Sequence, residues 1–195
     1  MAKLYFKYGA MNSGKSTILL QSAYNYEERG MRTVLLKPMI DTKGADSVVS
    51  RLGVSRKVHY LVSAQDNIRD IIQKDIKTNG HLHCIFVDES QFLAVPQVDQ
   101  LFWIAVEMDI PIICYGLRTD FLTNGFPASG RLLELAHSIE ELKTICRCGK
   151  KAMFNARKIN GKFVFEGEQV AIDNENNVEY ESLCPVCYRR EKNNK

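Results

Sequence analysis

A glycine-rich segment near the start of the chain has the composition and spacing of a phosphate-binding loop. Gly9 follows an aromatic and aliphatic run, and Gly14, Lys15 and Ser16 come after four further residues, where a helical apolar pattern begins. Glycines let successive backbone N–H groups turn toward phosphate oxygens, the lysine reaches the β- and γ-phosphates, and the hydroxyl ligates Mg²⁺. We therefore predict a P-loop whose nucleotide contacts come from Gly9, Ala10, Met11, Asn12, Ser13, Gly14, Lys15 and Ser16.

An acidic pair, Asp88 and Glu89, ends a second apolar run. In P-loop proteins an aspartate at this point holds Mg²⁺ opposite the hydroxyl of the loop, which is Ser16 here. The adjacent Glu89 lies where a nucleophile must lose its proton, so it is the candidate general base. Acidic pairs at strand ends are often only solvated, and it is the P-loop that favours the catalytic interpretation.

Four of the six cysteines form two close pairs late in the chain, Cys146 with Cys148 and Cys184 with Cys187. A thiol–disulfide motif is one interpretation of Cys184-Pro-Val-Cys187, but only a short charged tail follows it. Two close pairs of thiolates fit a tetrahedral Zn²⁺ site better. A shell of four thiolates leaves no open position, so we predict a structural zinc rather than a catalytic one.

The elements that must position these residues alternate between short β-rich runs and amphipathic segments. Apolar residues recur at helical spacing after the P-loop, after Ser63 as a predicted N-cap, and after Pro96. Residues 43–57 show no clear period and are predicted to form an irregular surface loop. The β-rich runs are Leu4–Tyr8, Thr33–Lys37, Val58–Val62, His81–Val87 and Ile110–Tyr115. This alternation predicts an α/β fold: a P-loop (RecA-like) parallel sheet flanked by helices.

The pattern changes near Glu141, where paired cysteines, a β-rich middle and a basic tail replace the alternation of strands and helices. We therefore predict a P-loop nucleotide-binding domain over residues 1–141 and a small C-terminal zinc-binding domain over residues 142–195.

The overall composition is that of an ordinary globular protein, with 45% hydrophobic and 25% charged residues. A net charge of +3 is too small to indicate binding to nucleic acid or to a membrane surface. No apolar run approaches the length that spans a bilayer, and the first predicted strand begins too early to leave room for a signal peptide. We expect a cytoplasmic protein with no nucleic-acid or membrane partner.

Over essentially its whole length the chain resembles the type II thymidine kinase family. The motifs that carry the resemblance are Gly9–Thr17, Lys37–Thr42, Asp88–Phe92, Tyr115–Phe121, the four late cysteines and Tyr180. The resemblance implies transfer of the γ-phosphoryl group of ATP, bound with Mg²⁺, to the 5′-hydroxyl of thymidine, as a step in nucleotide salvage and DNA precursor synthesis. It also implies a homotetramer, feedback inhibition by dTTP, and a "lasso" loop that folds over the nucleoside between Cys148 and Cys184.

The resemblance also implies roles for individual residues. Glu89 matches the general base of the family, and Asp88, Gln91 and Arg157 match positions near the nucleotide. Asn155 stands where the family often has threonine, and Lys43 stands where it commonly has arginine. The implied contacts to the nucleoside come from Met11, Phe92, Leu117, Phe121, Phe126, Asn155, Val170, Ile172 and Tyr180.

Two other functions compete with nucleoside phosphorylation. A P-loop ATPase with a zinc ribbon that acts on nucleic acid would use Glu89 to activate water. Its basic residues, however, form no stripe and do not alternate with aromatic residues, as a surface for single strands would. A non-catalytic nucleotide switch is the third possibility, and it would leave Glu89 without a task.

Overall fold

The structure is a computed structural model of the chain, and it describes residues 1–39, 46–169 and 177–194. The strands of this described part are β1 (Leu4–Tyr8), β2 (Thr33–Pro38), β3 (Ser47–Val49), β4 (Ser55–Lys57), β5 (Tyr60–Val62), β6 (Cys84–Val87), β7 (Ile112–Gly116), β8 (Ser138–Glu141), β9 (Thr144–Ile145), β10 (Lys151–Ala152), β11 (Phe154–Ile159), β12 (Lys162–Val164) and β13 (Val178–Leu183). Its α-helices are α1 (Lys15–Glu27), α2 (Ile68–Asn79), α3 (Val95–Glu107), α4 (Pro127–Leu135) and α5 (Pro185–Asn193), and Ser90–Phe92 form a short 3-10 helix.

The central sheet is parallel and has the strand order β5-β2-β6-β7-β1-β8. Its register places Tyr8 beside Gly116 and Val87 beside Cys114, so β1, β6 and β7 end near one edge. The segments that follow these three strands are the P-loop, the acidic pair and Leu117. Open parallel sheets bind ligands outside the carboxyl ends of their strands, so this edge is where a site is expected. The predicted α/β fold with a parallel sheet is confirmed.

Helices cover both faces of the sheet, which is why its strands are apolar on both sides. Leu35 and Phe86 face α1, where they join Leu19 and Tyr115 in one core cluster. The alternate residues of the same strands belong to a second cluster with α2, α3 and α4; they include Leu36, Val87, Ile72, Leu101 and Leu132. The side-chain period of two along each strand thus separates the two cores.

Some local predictions from the sequence are wrong. Residues 43–57 were expected to be irregular, yet in the described part of this range β3 and β4 pair in an antiparallel hairpin. The N-cap of α2 is Asn67, not Ser63, and its side-chain oxygen accepts a hydrogen bond from the backbone N–H of Asp70 at 3.3 Å. No pattern indicated β8, because this edge strand is largely exposed and so lacks an apolar run.

The C-terminal part forms its own small unit of strands and one helix. β9 and β10 pair with each other, while β12, β11 and β13 form an antiparallel sheet in that order. Ala156, Phe165, Leu183 and Tyr188 are buried in its core. The Tyr188 hydroxyl donates to the backbone carbonyl of Phe121 at 2.6 Å, which ties α5 to the segment after β7. No helix within the described ranges is long and apolar enough to cross a membrane.

Candidate active site

The P-loop joins β1 to α1, and two of its residues have left-handed backbone angles. The φ angle is 66° at Asn12 and 78° at Gly14, directly before the helix. Turns of this kind make concave sets of backbone N–H groups that bind anions, and the helix adds its positive N-terminal end. Gly9 is needed for a different reason, which is close packing. A Cβ at this position would lie 2.4 Å from the carbonyl oxygen of Leu142.

The Lys15 side chain lies within the P-loop. Its Nζ donates hydrogen bonds to the backbone carbonyls of Gly9 at 3.1 Å and Ala10 at 2.9 Å. Burial lowers the pKa of Lys15, while the negative charges of Glu89 and Asp88 act in the opposite direction. Phosphate oxygens are stronger partners for an ammonium group than neutral carbonyls, so a bound triphosphate would compete for Lys15.

Asp88 is only 5% exposed at the end of β6. Burial and the neighbouring charge of Glu89 raise the pKa of Asp88 to about 7, although Lys37 and Lys15 act to lower it. A buried carboxylate whose charge is incompletely balanced favours a cation beside it. Oxygen ligands are what Mg²⁺ prefers, so Asp88 fits the predicted metal role together with the hydroxyl of Ser16.

Glu89 has a φ of 50°, a left-handed backbone angle that non-glycine residues adopt rarely. Its carboxylate accepts a hydrogen bond from Nε2 of Gln91 at 2.5 Å. Oε1 of Gln91 in turn accepts from the backbone N–H of Leu117 at 3.0 Å. Gly116 makes room for this link, because a Cβ there would lie 2.7 Å from the same Oε1. The buried amide of Gln91 therefore orients Glu89 against the end of β7, a role the sequence pattern did not indicate.

A cavity of about 930 Å³ opens beside these residues. One side is formed by the P-loop and the first turn of α1, including Lys15 and Ser16, with Glu89 and Leu117 next to them. A second side is formed by the β3–β4 hairpin, and a third by the start of β13. Of the predicted nucleotide-binding residues, Met11, Asn12, Gly14, Lys15 and Ser16 thus face one common space with the predicted general base. Gly9, Ala10, Ser13, Asp88 and Gln91 are not among the residues that line it.

Among the residues predicted to contact the nucleoside, Met11, Leu117 and Tyr180 line this cavity. Val170 and Ile172 lie outside the described residues.

The three phenylalanines predicted to surround the nucleoside are not part of the cavity lining. Phe92 and Phe126 pack edge to face with ring centroids 5.5 Å apart. Phe121 is 2% exposed and carries the guanidinium group of Arg157 at 3.6 Å from its ring centroid. These contacts give the rings a packing role, and their contact with a nucleoside stays a prediction.

Arg157 is buried and holds the start of the segment that leads to residue 170. Its Nη1 and Nη2 donate to the backbone carbonyls of Glu168 at 2.9 Å and Gln169 at 3.0 Å, and its Nε donates to the Tyr180 hydroxyl at 3.0 Å. Arg157 is not among the residues that line the cavity. The guanidinium group thus supports this segment, while the predicted contact with the nucleotide stays untested.

The C-terminal unit also holds the P-loop directly, which no sequence pattern indicated. Oδ1 of Asn155 accepts a hydrogen bond from the backbone N–H of Met11 at 2.7 Å. The hydroxyl of Ser182 donates to the carbonyl of the same residue, and Thr144 donates to the carbonyl of Asn12 at 3.2 Å. Asn155 and Ser182 are direct partners in the ladder between β11 and β13. We call this cross-strand pair with Thr144 the P-loop clamp.

The four late cysteines come together, with their sulfur atoms all within 4.8 Å of one another. Cys146 and Cys148 lie between β9 and β10, while Cys184 caps α5 and Cys187 lies in its first turn. The backbone N–H of Cys187 donates to the sulfur of Cys184, and this bond together with the neighbouring thiols lowers the pKa of the Cys184 thiol to about 6. Thiolates in this arrangement fit a tetrahedral Zn²⁺ ion, so these residues could hold a structural metal.

The parallel sheet, the P-loop at its carboxyl edge and the acidic pair beside it define an α/β P-loop nucleotide-binding protein. Comparison with known proteins narrows the class further. The family model described as "Thymidine kinase" matches residues 2–188, and the chain belongs to this family.

Individual relatives agree with the family match. A thymidine kinase from Shewanella oneidensis is 49% identical over 191 residues, which is 97% of each chain. One from Rhodopirellula baltica is 47% identical over 192 residues, covering 97% of this chain and 89% of the relative. One from Haemophilus influenzae is 46% identical over 191 residues, again 97% of each chain.

Proposed function

We propose that this protein transfers the γ-phosphoryl group of ATP to the 5′-hydroxyl of thymidine and releases dTMP and ADP. The observation that carries the proposal is the shared cavity, in which Lys15 of the P-loop and Glu89 face the same space. A phosphate-binding loop beside an oriented carboxylate can hold a triphosphate and deprotonate an acceptor hydroxyl. Membership of the thymidine kinase family supports thymidine as that acceptor.

The reaction follows from the positions of these groups. The 5′-oxygen of thymidine forms a bond to the γ-phosphorus while the bond from that phosphorus to the bridging oxygen breaks, and its electron pair leaves with ADP. Glu89 accepts the proton of the 5′-hydroxyl, and Gln91 keeps the carboxylate aimed at the cavity. Lys15 and the P-loop N–H groups balance the charge on the phosphates.

Mg²⁺ would be held by Asp88 and Ser16, and it would supply positive charge to balance that of the phosphates. The raised pKa of Asp88 and its burial support this assignment, since a cation would balance the carboxylate. Zn²⁺ at the four cysteines would be structural, with no open position for a substrate.

Thymidine would lie between the P-loop and β13. Met11, Leu117 and Tyr180 line the cavity on that side, and the chain from Gln169 onward leads into the proposed lasso loop. Arg157 supports the start of that loop through the carbonyls of Glu168 and Gln169. These contacts support a substrate site that is closed by the C-terminal unit.

The proposal also covers inhibition by dTTP and assembly into a homotetramer. dTTP carries both a thymine nucleoside and a triphosphate, so one molecule could occupy the nucleoside site and the P-loop together and inhibit the enzyme. Resemblance to the family supports a homotetramer that works in the cytoplasm and supplies a DNA precursor.

The test is ATP turnover by the purified protein with thymidine, deoxycytidine, single-stranded DNA or no acceptor. We expect ADP and dTMP to form in equal amounts with thymidine and turnover to stay at the background level otherwise. Stimulation by DNA but not by thymidine would show instead that the protein is a nucleic-acid-dependent ATPase.

A further inference from the structure

The β3–β4 hairpin forms one wall of the cavity, and its tip has a defined shape. The backbone N–H of Ser50 donates to the carbonyl of Val54 at 2.8 Å, and the N–H of Gly53 donates to the carbonyl of Ser50 at 3.0 Å. Gly53 has a φ of 87°, which favours glycine at this turn. Val48 is fully buried in the core cluster that includes Leu19 of α1. The hairpin is thus packed against the helix that follows the P-loop.

The tip of this hairpin presents an arginine to the phosphate site. Arg51 lines the same cavity as Lys15 and Glu89. Its side chain is exposed, and within the described residues it makes no hydrogen bond or ion pair.

The other two cations of the hairpin are engaged elsewhere. Arg56 forms an ion pair with Glu27 of α1 at 2.7 Å, and Lys57 lies 3.4 Å from Asp46. Arg51 is therefore the basic residue of β3, β4 and their turn that faces the cavity without a partner. Two cations that face one cavity repel each other until an anion enters, and a polyphosphate has the charge and the reach to contact both.

We propose that Arg51 is a further catalytic residue of the donor site, which binds the phosphates of ATP opposite the P-loop. The proposal rests on the proposed kinase function. During transfer, negative charge builds on the bridging oxygen as it leaves with ADP, and a guanidinium group can pair with two phosphate oxygens at once. Lys15 holds the triphosphate from the P-loop side, and Arg51 holds it from the hairpin side.

Arg51→Gln tests the proposal, because it removes the charge and keeps a side chain of similar length. A charge-assisted hydrogen bond to phosphate corresponds to about ten- to hundredfold in affinity, so kcat/KM for ATP should fall by about that factor. The affinity for ADP, measured by calorimetry without thymidine, should fall as well, and the affinity for thymidine should not change. Arg51→Lys should recover only part of the loss, since an ammonium group cannot pair in a bidentate manner.

Lys57→Gln is the matched control, because it removes the same charge from the same hairpin outside the cavity. It should leave kcat/KM for ATP and the affinity for ADP unchanged. If Arg51→Gln also leaves both unchanged, the proposal is wrong.

Glu179→Gln tests whether Arg51 acts through an ion pair with Glu179 instead of through the phosphates. Glu179 lines the same cavity and carries the opposite charge. Loss of ADP affinity in this variant equal to that in Arg51→Gln would overturn the proposal in favour of such a pair. A wild-type protein that binds ADP but does not phosphorylate thymidine would contradict the kinase function instead, and the ADP measurements would still decide the role of Arg51.

Discussion

Glu89 and Lys15 face the same cavity but are held in different ways. Glu89 has a rare backbone angle and a side chain oriented by Gln91, so its carboxylate is fixed before substrate arrives. The Lys15 ammonium group is bonded to carbonyls of its own loop and must change partners when phosphate binds. Substitutions at the two positions should therefore affect different steps.

Glu89→Gln should lower kcat by about 10²–10⁴-fold, because a positioned general base contributes about that much. ATP affinity should stay nearly the same, since the proposed contacts of the phosphates are with the P-loop and Mg²⁺. Steady-state kinetics and ATP calorimetry on the same preparation measure the two quantities. Glu28→Gln, at the exposed end of α1, is the control. Wild-type kcat in Glu89→Gln would remove this residue from the mechanism.

Lys15→Ala should lower both ATP affinity and kcat, because Lys15 balances phosphate charge in the ground state and in the transition state. Thymidine affinity should remain, as the proposed nucleoside contacts lie toward Leu117 and Tyr180. Calorimetry with each substrate separately tests this pattern. Normal ATP binding and turnover in this variant would show that the loop does not bind the triphosphate.

Among the elements, the contact between β11–β13 and the P-loop links parts of the chain that were expected to work separately. In the P-loop clamp, Asn155 accepts a hydrogen bond from the backbone N–H of Met11, and Ser182 donates one to the carbonyl of Met11. The next residue, Asn12, has the left-handed backbone angle. A rare backbone angle persists only where surrounding contacts hold it. The small C-terminal sheet thus helps to maintain the shape of the phosphate site.

Ser182→Ala should therefore weaken ATP binding even though Ser182 does not line the cavity. A hydrogen bond of this kind contributes about 0.5–1.5 kcal/mol, so a loss of up to about tenfold in ATP affinity is expected. Ser182→Thr keeps the hydroxyl and should retain most of the affinity. If Ser182→Ala binds ATP as the wild type does, the clamp has no influence on the donor site.

At the scale of the whole molecule, the cysteine cluster belongs to the C-terminal unit, which bonds to the P-loop and lines part of the cavity. Cys184 and Cys187 follow β13 directly, and β13 carries both Ser182 and Tyr180. A structural Zn²⁺ site contributes about 10–16 kcal/mol to the folding of small metal-binding peptides. The parallel sheet has its own two cores and needs no metal ligand to form.

Cys187→Ser should therefore weaken the binding of thymidine and of ATP together. Far-ultraviolet circular dichroism should change little, because the parallel sheet and its helices remain folded. Zinc content and the two affinities are measured on the same sample, with Val186→Ala, at an exposed position of the same helix, as a control. Loss of thymidine binding with unchanged ATP binding would show that the clamp holds without the metal site.

Local sequence patterns were sufficient to predict the P-loop, the acidic pair and the parallel sheet. Gly9, Gly14, Lys15 and Ser16 act within one short loop, so their spacing carries the geometry with it. The order of β-rich and amphipathic segments likewise follows from side-chain periodicity, which is a property of neighbouring residues. The four late cysteines could be assigned to one site because they form two close pairs, and such pairs are typical of metal sites and redox motifs.

What the sequence by itself determined was the chemistry: a P-loop with its acidic partner on a parallel sheet, and a set of four thiols. Only the tertiary structure decided that Asn155 holds Met11, 144 residues away, that Gln91 orients Glu89, and that Arg51 lines the same cavity as Lys15. The physical reason is that these contacts depend on how separate elements pack. A hydrogen bond between distant residues leaves no period or spacing in the sequence from which it could be predicted.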